Sequence, residues 1–133
     1  MPELPEVETI RRQLRTEIVS QTVLRAGSHQ SQKFLPARKT RGRRFIGLSR
    51  RGKYLIGEFD NETELIIHLG MTGQLLIDKN EKFSENLDQY CRAWWSLANG
   101  KTVVFRDVRR FGRIAVVGKG DYSQIPTLRD MGP

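Results

Sequence analysis

Cysteine is almost missing from this chain of 133 residues: Cys91 stands alone, and histidine is limited to His29 and His68. One thiol cannot close a disulfide within the chain, and three scattered side chains offer no zinc-site spacing. The sequence therefore predicts neither a disulfide framework nor a bound metal or other cofactor. Long apolar runs are missing too. Nothing approaches the roughly 20 consecutive apolar residues of a membrane-spanning helix, and the acidic first ten residues lack the pattern of a secretory signal. The cytoplasm is the expected location. Acid is the scarcer charge, with 15 Asp and Glu against 23 Lys and Arg and a net charge of +8. That excess points to a polyanionic partner, either nucleic acid or an acidic membrane surface. Repeats and low-complexity tracts are also lacking, and 38% hydrophobic with 29% charged residues suits one globular domain over residues 1–133.

What is present is most unusual at the terminus. If Met1 is removed, Pro2 becomes a free secondary amine, and a neutral amine is a nucleophile at a carbon bearing an aldehyde or a sugar leaving group. Glu3 beside it is a candidate proton donor and acceptor. The competing reading is that Pro2, Pro5, Glu3, Glu6 and Glu8 are simply first-turn residues, since proline fits there and carboxylates complement the helix dipole. Val7, Ile10, Leu14 and Ile18 then recur at helical spacing, which predicts one helix over residues 5–19.

Beyond it the period falls to two. Strands are expected over residues 22–26, 43–49, 54–59, 65–69, 74–77, 90–97, 102–106 and 113–117, with Asn99-Gly100 as the clearest hairpin turn and 60–62 as a weaker one. Residues 79–88 read as a polar loop. The fold class is mainly β with one N-terminal helix: a two-layer antiparallel β-sandwich, or a barrel, flanked by the helix.

Three further stretches carry candidate chemistry. Residues 38–53 hold eight cationic side chains and no acid, which reads as a phosphate-contacting surface or as a solvated basic face. In Leu65-Ile66-Ile67-His68-Leu69-Gly70-Met71-Thr72-Gly73, strand alternation turns His68 away from the face of Ile67, and Gly70 and Gly73 bracket a turn with Met71 near its tip. Methionine also serves as a core gap-filler. Residues 105–113 place four arginines around Phe111; guanidinium groups suit base edges and phosphates while a ring can wedge between bases. A hairpin with Phe111 in the core and solvated arginines fits as well.

Taken together, Pro2-Glu3-Leu4-Pro5-Glu6-Val7-Glu8-Thr9, Arg50-Arg51-Gly52-Lys53-Tyr54-Leu55, His68-Leu69-Gly70-Met71-Thr72-Gly73 and Asp107-Val108-Arg109-Arg110-Phe111-Gly112 resemble, in order, the motifs of the formamidopyrimidine-DNA glycosylase / endonuclease VIII family of DNA-repair enzymes. The resemblance implies the N-terminal catalytic domain of a bifunctional glycosylase and abasic-site lyase acting on oxidised purines in damaged or abasic duplex DNA, monomeric and without a membrane partner. It assigns Pro2 as the nucleophile that forms an iminium with the sugar, Glu3 as its acid–base partner and Lys53 to proton transfer. It further gives His68 a phosphate and Met71 the space left by the extruded base. Arg109 would pair with the orphaned base, Arg110 take a phosphate and Phe111 wedge the stack. Where the family has a histidine-containing DNA-contact segment, this chain has Tyr90-Cys91-Arg92-Ala93, so Arg92 is expected to replace that phosphate contact. The family's helical DNA-binding domain and its structural zinc finger have no counterpart here, as expected of a fragment or a natural short form. Two other readings remain: a DNA-binding module with impaired catalysis, and a basic β-barrel that binds structured RNA.

Overall fold

The computed structural model describes residues 4–78 and 89–131. Its one long helix, α1 (Leu4–Ile18), forms on the predicted stripe, with Val7, Leu14 and Ile18 buried and Ile10 packed against the same core. The stripe ends at Ser20, whose φ of 75° turns the chain out of the helix while its N–H bonds Phe45 O at 2.7 Å.

Eight strands follow among the described residues: β1 (Val23–Ser28), β2 (Phe45–Arg51), β3 (Tyr54–Phe59), β4 (Thr63–His68), β5 (Gln74–Asp78), β6 (Cys91–Leu97), β7 (Thr102–Arg106) and β8 (Arg113–Gly118). They pair antiparallel into two four-stranded sheets, β1-β6-β7-β5 and β2-β3-β4-β8. This is the expected sandwich; the two sheets stay separate rather than closing into the barrel of the RNA-binding alternative. Inner faces meet through Leu55, Phe59, Leu65, Ile67 and Ile114 on one side and Ala93, Trp95, Leu97, Val103 and Phe105 on the other, with α1 packed on β2. The Asn99-Gly100 hairpin joins β6 to β7, Gly100 supplying a φ of 86°. Two short elements escaped the periodicity: a 3₁₀ helix (Leu35–Thr40) and α2 (Pro126–Arg129), whose Leu128 covers Ile56 and Ile66 on the outer face of the second sheet. Each spans too few residues to show a repeat.

The chain changes layer at residues 29–44, 69–73 and 107–112, between β1 and β2, β4 and β5, and β7 and β8. The pairings Ser28↔Ala93, Tyr54↔His68, His68↔Arg113 and Gln74↔Arg106 bring the 69–73 and 107–112 crossings and the start of the 29–44 crossing to one end of the sandwich, and the 29–44 segment then runs to the other end, where Phe45 pairs with Phe59.

Candidate nucleic-acid interface

At that end the Gly70–Gly73 turn and the 107–112 loop are locked into one body. Asp107 is fully buried, and its carboxylate accepts Thr72 Oγ1–H at 2.5 Å and Gly112 N–H at 2.7 Å. Thr72 Oγ1 in turn accepts Arg109 N–H at 3.1 Å. The backbones touch: a Cβ at Gly70 would lie 2.6 Å from Gly112 N, and Gly70 has a φ of 65°, so only glycine fits. With their inner groups satisfied this way, the loops leave Met71, Val108 and Phe111 about half exposed, at 45%, 52% and 52%. Arg109 lies over the Phe111 ring at 5.9 Å, and Arg110, also exposed, adopts a φ of 59° that a side-chain-bearing residue rarely takes. Lys33, from the first crossing, donates to Arg110 O at 2.8 Å and fixes that backbone. The alternatives of a core Met71 and a core Phe111 are thereby set aside.

His68 and Lys53 stand on the adjacent flank. The turn between β2 and β3 needs Gly52 at a φ of 58° and places Lys53 next to Tyr54. The His68 ring packs against Tyr54 at a tilt of 51° with centroids 4.8 Å apart, and its Nδ1 accepts Gly70 N–H at 3.2 Å. That bond leaves Nε2 to carry the proton of the neutral ring and to donate outward. Burial, then the charges of Lys53 and Arg113, lower the His68 pKa. Lys53 and Arg113 therefore make a positive flank around His68 beside the Met71 and Phe111 loops.

Pro2 and Glu3 lie outside the described residues, but the helix that carries them is pinned to this flank. Glu8 accepts hydrogen bonds from Arg11, Arg12 and Arg50, and Arg50 also donates to Gly52 O at 3.0 Å, linking α1 to the turn that presents Lys53. Those guanidinium donors hold the Glu8 carboxyl well below its ordinary pKa.

Two expectations need correction. Arg92 is only 4% exposed, with its guanidinium spent on carbonyls, so it cannot reach a phosphate as the replacement contact would require. The basic tract also does not form one surface. Arg43 and Arg44 sit at the far end of β2, where Arg44 meets Asp60, whereas Arg50 to Lys53 lie at the site end and Arg38 is bonded to Ser28. Sequence reading missed Thr72, Lys33 and Glu8. Asp107 accepts Arg92 on its main-chain oxygen while its carboxylate ties the loops together. An acid directly ahead of an arginine-rich loop that ends in glycine was the available signal for that role. Among the described residues no group of three or more His, Cys, Asp or Glu side chains is placed to hold a metal ion.

The formamidopyrimidine-DNA glycosylase N-terminal domain model matches residues 1–114, a span that includes every site residue named above. This chain belongs to the formamidopyrimidine-DNA glycosylase family. The formamidopyrimidine-DNA glycosylases of Deinococcus radiodurans and Thermus thermophilus are 36% and 38% identical to it, covering the whole chain and 48% and 46% of their own lengths. The crystal structure of the MutM (Fpg) protein from Thermus thermophilus superposes with a TM-score of 0.86 at 39% identity, over 99% of this chain and 46% of that one. The Lactococcus lactis Fpg (MutM), solved with a FAPY-dG containing DNA, gives 0.80 at 30% identity over 96% and 48%. The chain thus spans about half the length of the curated formamidopyrimidine-DNA glycosylases it matches. Among the described residues no helix is long and apolar enough to cross a membrane.

Proposed function

We propose that this chain is the catalytic half of a bifunctional DNA glycosylase and abasic-site lyase in base-excision repair, working in the cytoplasm on oxidised purines in duplex DNA. The observation that carries this reading is the single rigid body bearing Met71, Arg109 and Phe111, with the His68 and Lys53 flank at its side. Exposed apolar side chains beside arginines suit insertion into a stack from which one base has been removed. Met71 fills the vacated space, Arg109 faces the orphaned base, Phe111 wedges the neighbouring step, and Arg110 and His68 take phosphates.

The lone pair of Pro2 forms the bond to C1′ as the base leaves with the electrons of its own bond and takes up a proton to balance the one that the Pro2 nitrogen sheds. A proton from Glu3 opens the sugar ring at O4′, giving an iminium. That cation acidifies C2′; loss of the C2′ proton, with Lys53 serving proton transfer, expels the 3′ phosphate and cuts the strand. All of this requires Pro2 to be a free amine. With Met1 attached, the Pro2 nitrogen is an amide whose lone pair is delocalised into the carbonyl. Borohydride trapping on abasic duplex tests the reading, with mass spectrometry to establish each terminus. Protein starting at Pro2 is expected to give a covalent adduct and protein retaining Met1 none. Equal trapping by both would exclude Pro2 and direct attention to Lys53, while trapping by neither would favour the non-catalytic DNA-binding module.

A further inference from the structure

Arg92 occupies the place where a phosphate contact was expected, yet it points inward. One edge of its guanidinium grips two successive carbonyls of the 107–112 loop, Nε to Asp107 O at 2.7 Å and Nη2 to Val108 O at 3.2 Å. The other end donates to Gln89 O at 3.3 Å and lies 3.4 Å from each ring nitrogen of His29. His29 is itself fastened to the same strand, its N–H bonding Arg92 O at 2.9 Å. The result is a buried cation that satisfies three carbonyls drawn from both sides of the β6–β7 pair.

We infer that Arg92 is a positioning residue for the inserting loop, which it holds from beneath by its paired carbonyl bonds, and not a contact to DNA. The geometry needs arginine in particular. A planar fork can serve two adjacent carbonyls along one edge, whereas a lysine ammonium is a point charge without a rigid edge. Because Asp107 receives Arg92 on its main-chain oxygen and Thr72 and Gly112 on its carboxylate, the clamp also fixes the Thr72 link and, through it, the Met71 turn. Arg109, Arg110 and Phe111 are left to face outward.

This inference rests on the proposed DNA-binding role, and its test separates the two. Arg92→Lys and Arg92→Gln in the whole chain are compared with the unaltered protein for affinity to abasic and intact duplex across a salt series, alongside the exchange rate of the Arg92 Nε–H by NMR. The clamp predicts that both variants lose preference for the abasic duplex by about tenfold, comparable to losing one charge-assisted bond to a carbonyl, with the salt slope unchanged. A direct phosphate contact predicts instead that Arg92→Lys behaves like the unaltered chain and that Arg92→Gln lowers the salt slope by about 0.9 on both duplexes; that result would overturn the inference. If either variant fails to fold, the unaltered chain decides: a slowly exchanging Nε–H whose shift ignores added DNA supports the clamp, and one exchanging at the rate of free arginine refutes it. Failure of the unaltered chain to bind DNA would remove the functional proposal, while a protected Nε–H would still uphold the clamp.

Discussion

Asp107 and Thr72 illustrate how much of this site depends on side chains that never leave the protein. Removing the charge in Asp107→Asn weakens two bonds to a fully buried group, and each charge-assisted bond is worth about 1.5–3 kcal/mol. Thr72→Val removes the shared hydroxyl. A double-mutant cycle on the two by urea melting is expected to show coupling of about 0.5–3 kcal/mol, the range for directly bonded pairs; additivity would mean the loops are held independently. The exposed residues should behave differently. Met71→Ala and Phe111→Ala should leave the melting temperature nearly unchanged, because both side chains are about half in solvent, yet cut preference for abasic over intact duplex. Arg110→Ala should weaken both duplexes together. His68 adds a pH signature. Its pKa is lowered in the free chain, and a phosphate near Nε2 would favour the protonated ring. Binding should then take up a proton, and affinity should strengthen as pH falls from 6.5 towards the lowered value; titration calorimetry in buffers of different ionisation heat measures it, and His68→Gln should abolish the uptake.

At the level of elements, α1 joins the core to the terminus. Leu14→Ala should cost about 2–5 kcal/mol, as for other buried leucines, and should loosen the point from which Pro2 and Glu3 start. Glu8 ties the same helix to the Lys53 turn, and its lowered pKa sets the sign of the acid dependence. The stabilisation is complete above the ordinary carboxylate value of 4.5 and is lost as pH falls below it, so Glu8→Gln should flatten the acid limb of the stability profile. Elements with a period were legible in the sequence. The α1 stripe was legible from its helical spacing, the eight strands from β-rich runs set between turn residues, and the hairpin from Asn99-Gly100. The short 3₁₀ helix and α2 were not, because a single turn shows no repeat. At the site, the exposed Met71 could be picked out between Gly70 and Gly73, and Arg109, Arg110 and Phe111 as an arginine-rich run ending at Gly112. The supporting bonds could not be. Arg92 reads as one more surface cation until strand pairing sets it beneath the 107–112 loop, and Lys33 meets Arg110 only because two crossings separated by most of the chain converge.

For the molecule as a whole, the two histidines set the near-neutral pH response of stability. His29 faces the charges of Arg92 and Arg110, His68 those of Lys53 and Arg113, and burial is the larger cause in both; all of these lower the pKa from 6.5. The unfolded chain therefore binds more protons, and stability should be undiminished above about pH 6.5 and fall progressively as acid is added below it. Thermal melts of the free chain and of His29→Gln across this range check the sign. The meeting of the 69–73 and 107–112 layer changes at one end has a mechanical side as well. Two sheets held mainly by apolar packing can part slightly, as the covers of a book do, and here the spine of the book is also the surface proposed to meet DNA. The Asp107 bonds to Thr72 and Gly112 keep Met71 and Phe111 together at that spine, so a duplex gripping both loops adds a second fastening there. Occupancy should then suppress the opening of buried amides in both sheets together, far from any phosphate. At a hundredfold excess over Kd, it should raise the free energy of unfolding by about 2.7 kcal/mol, and the protection gained by Leu55 or Val103 against deuterium would report contact made at the far edge of the loops.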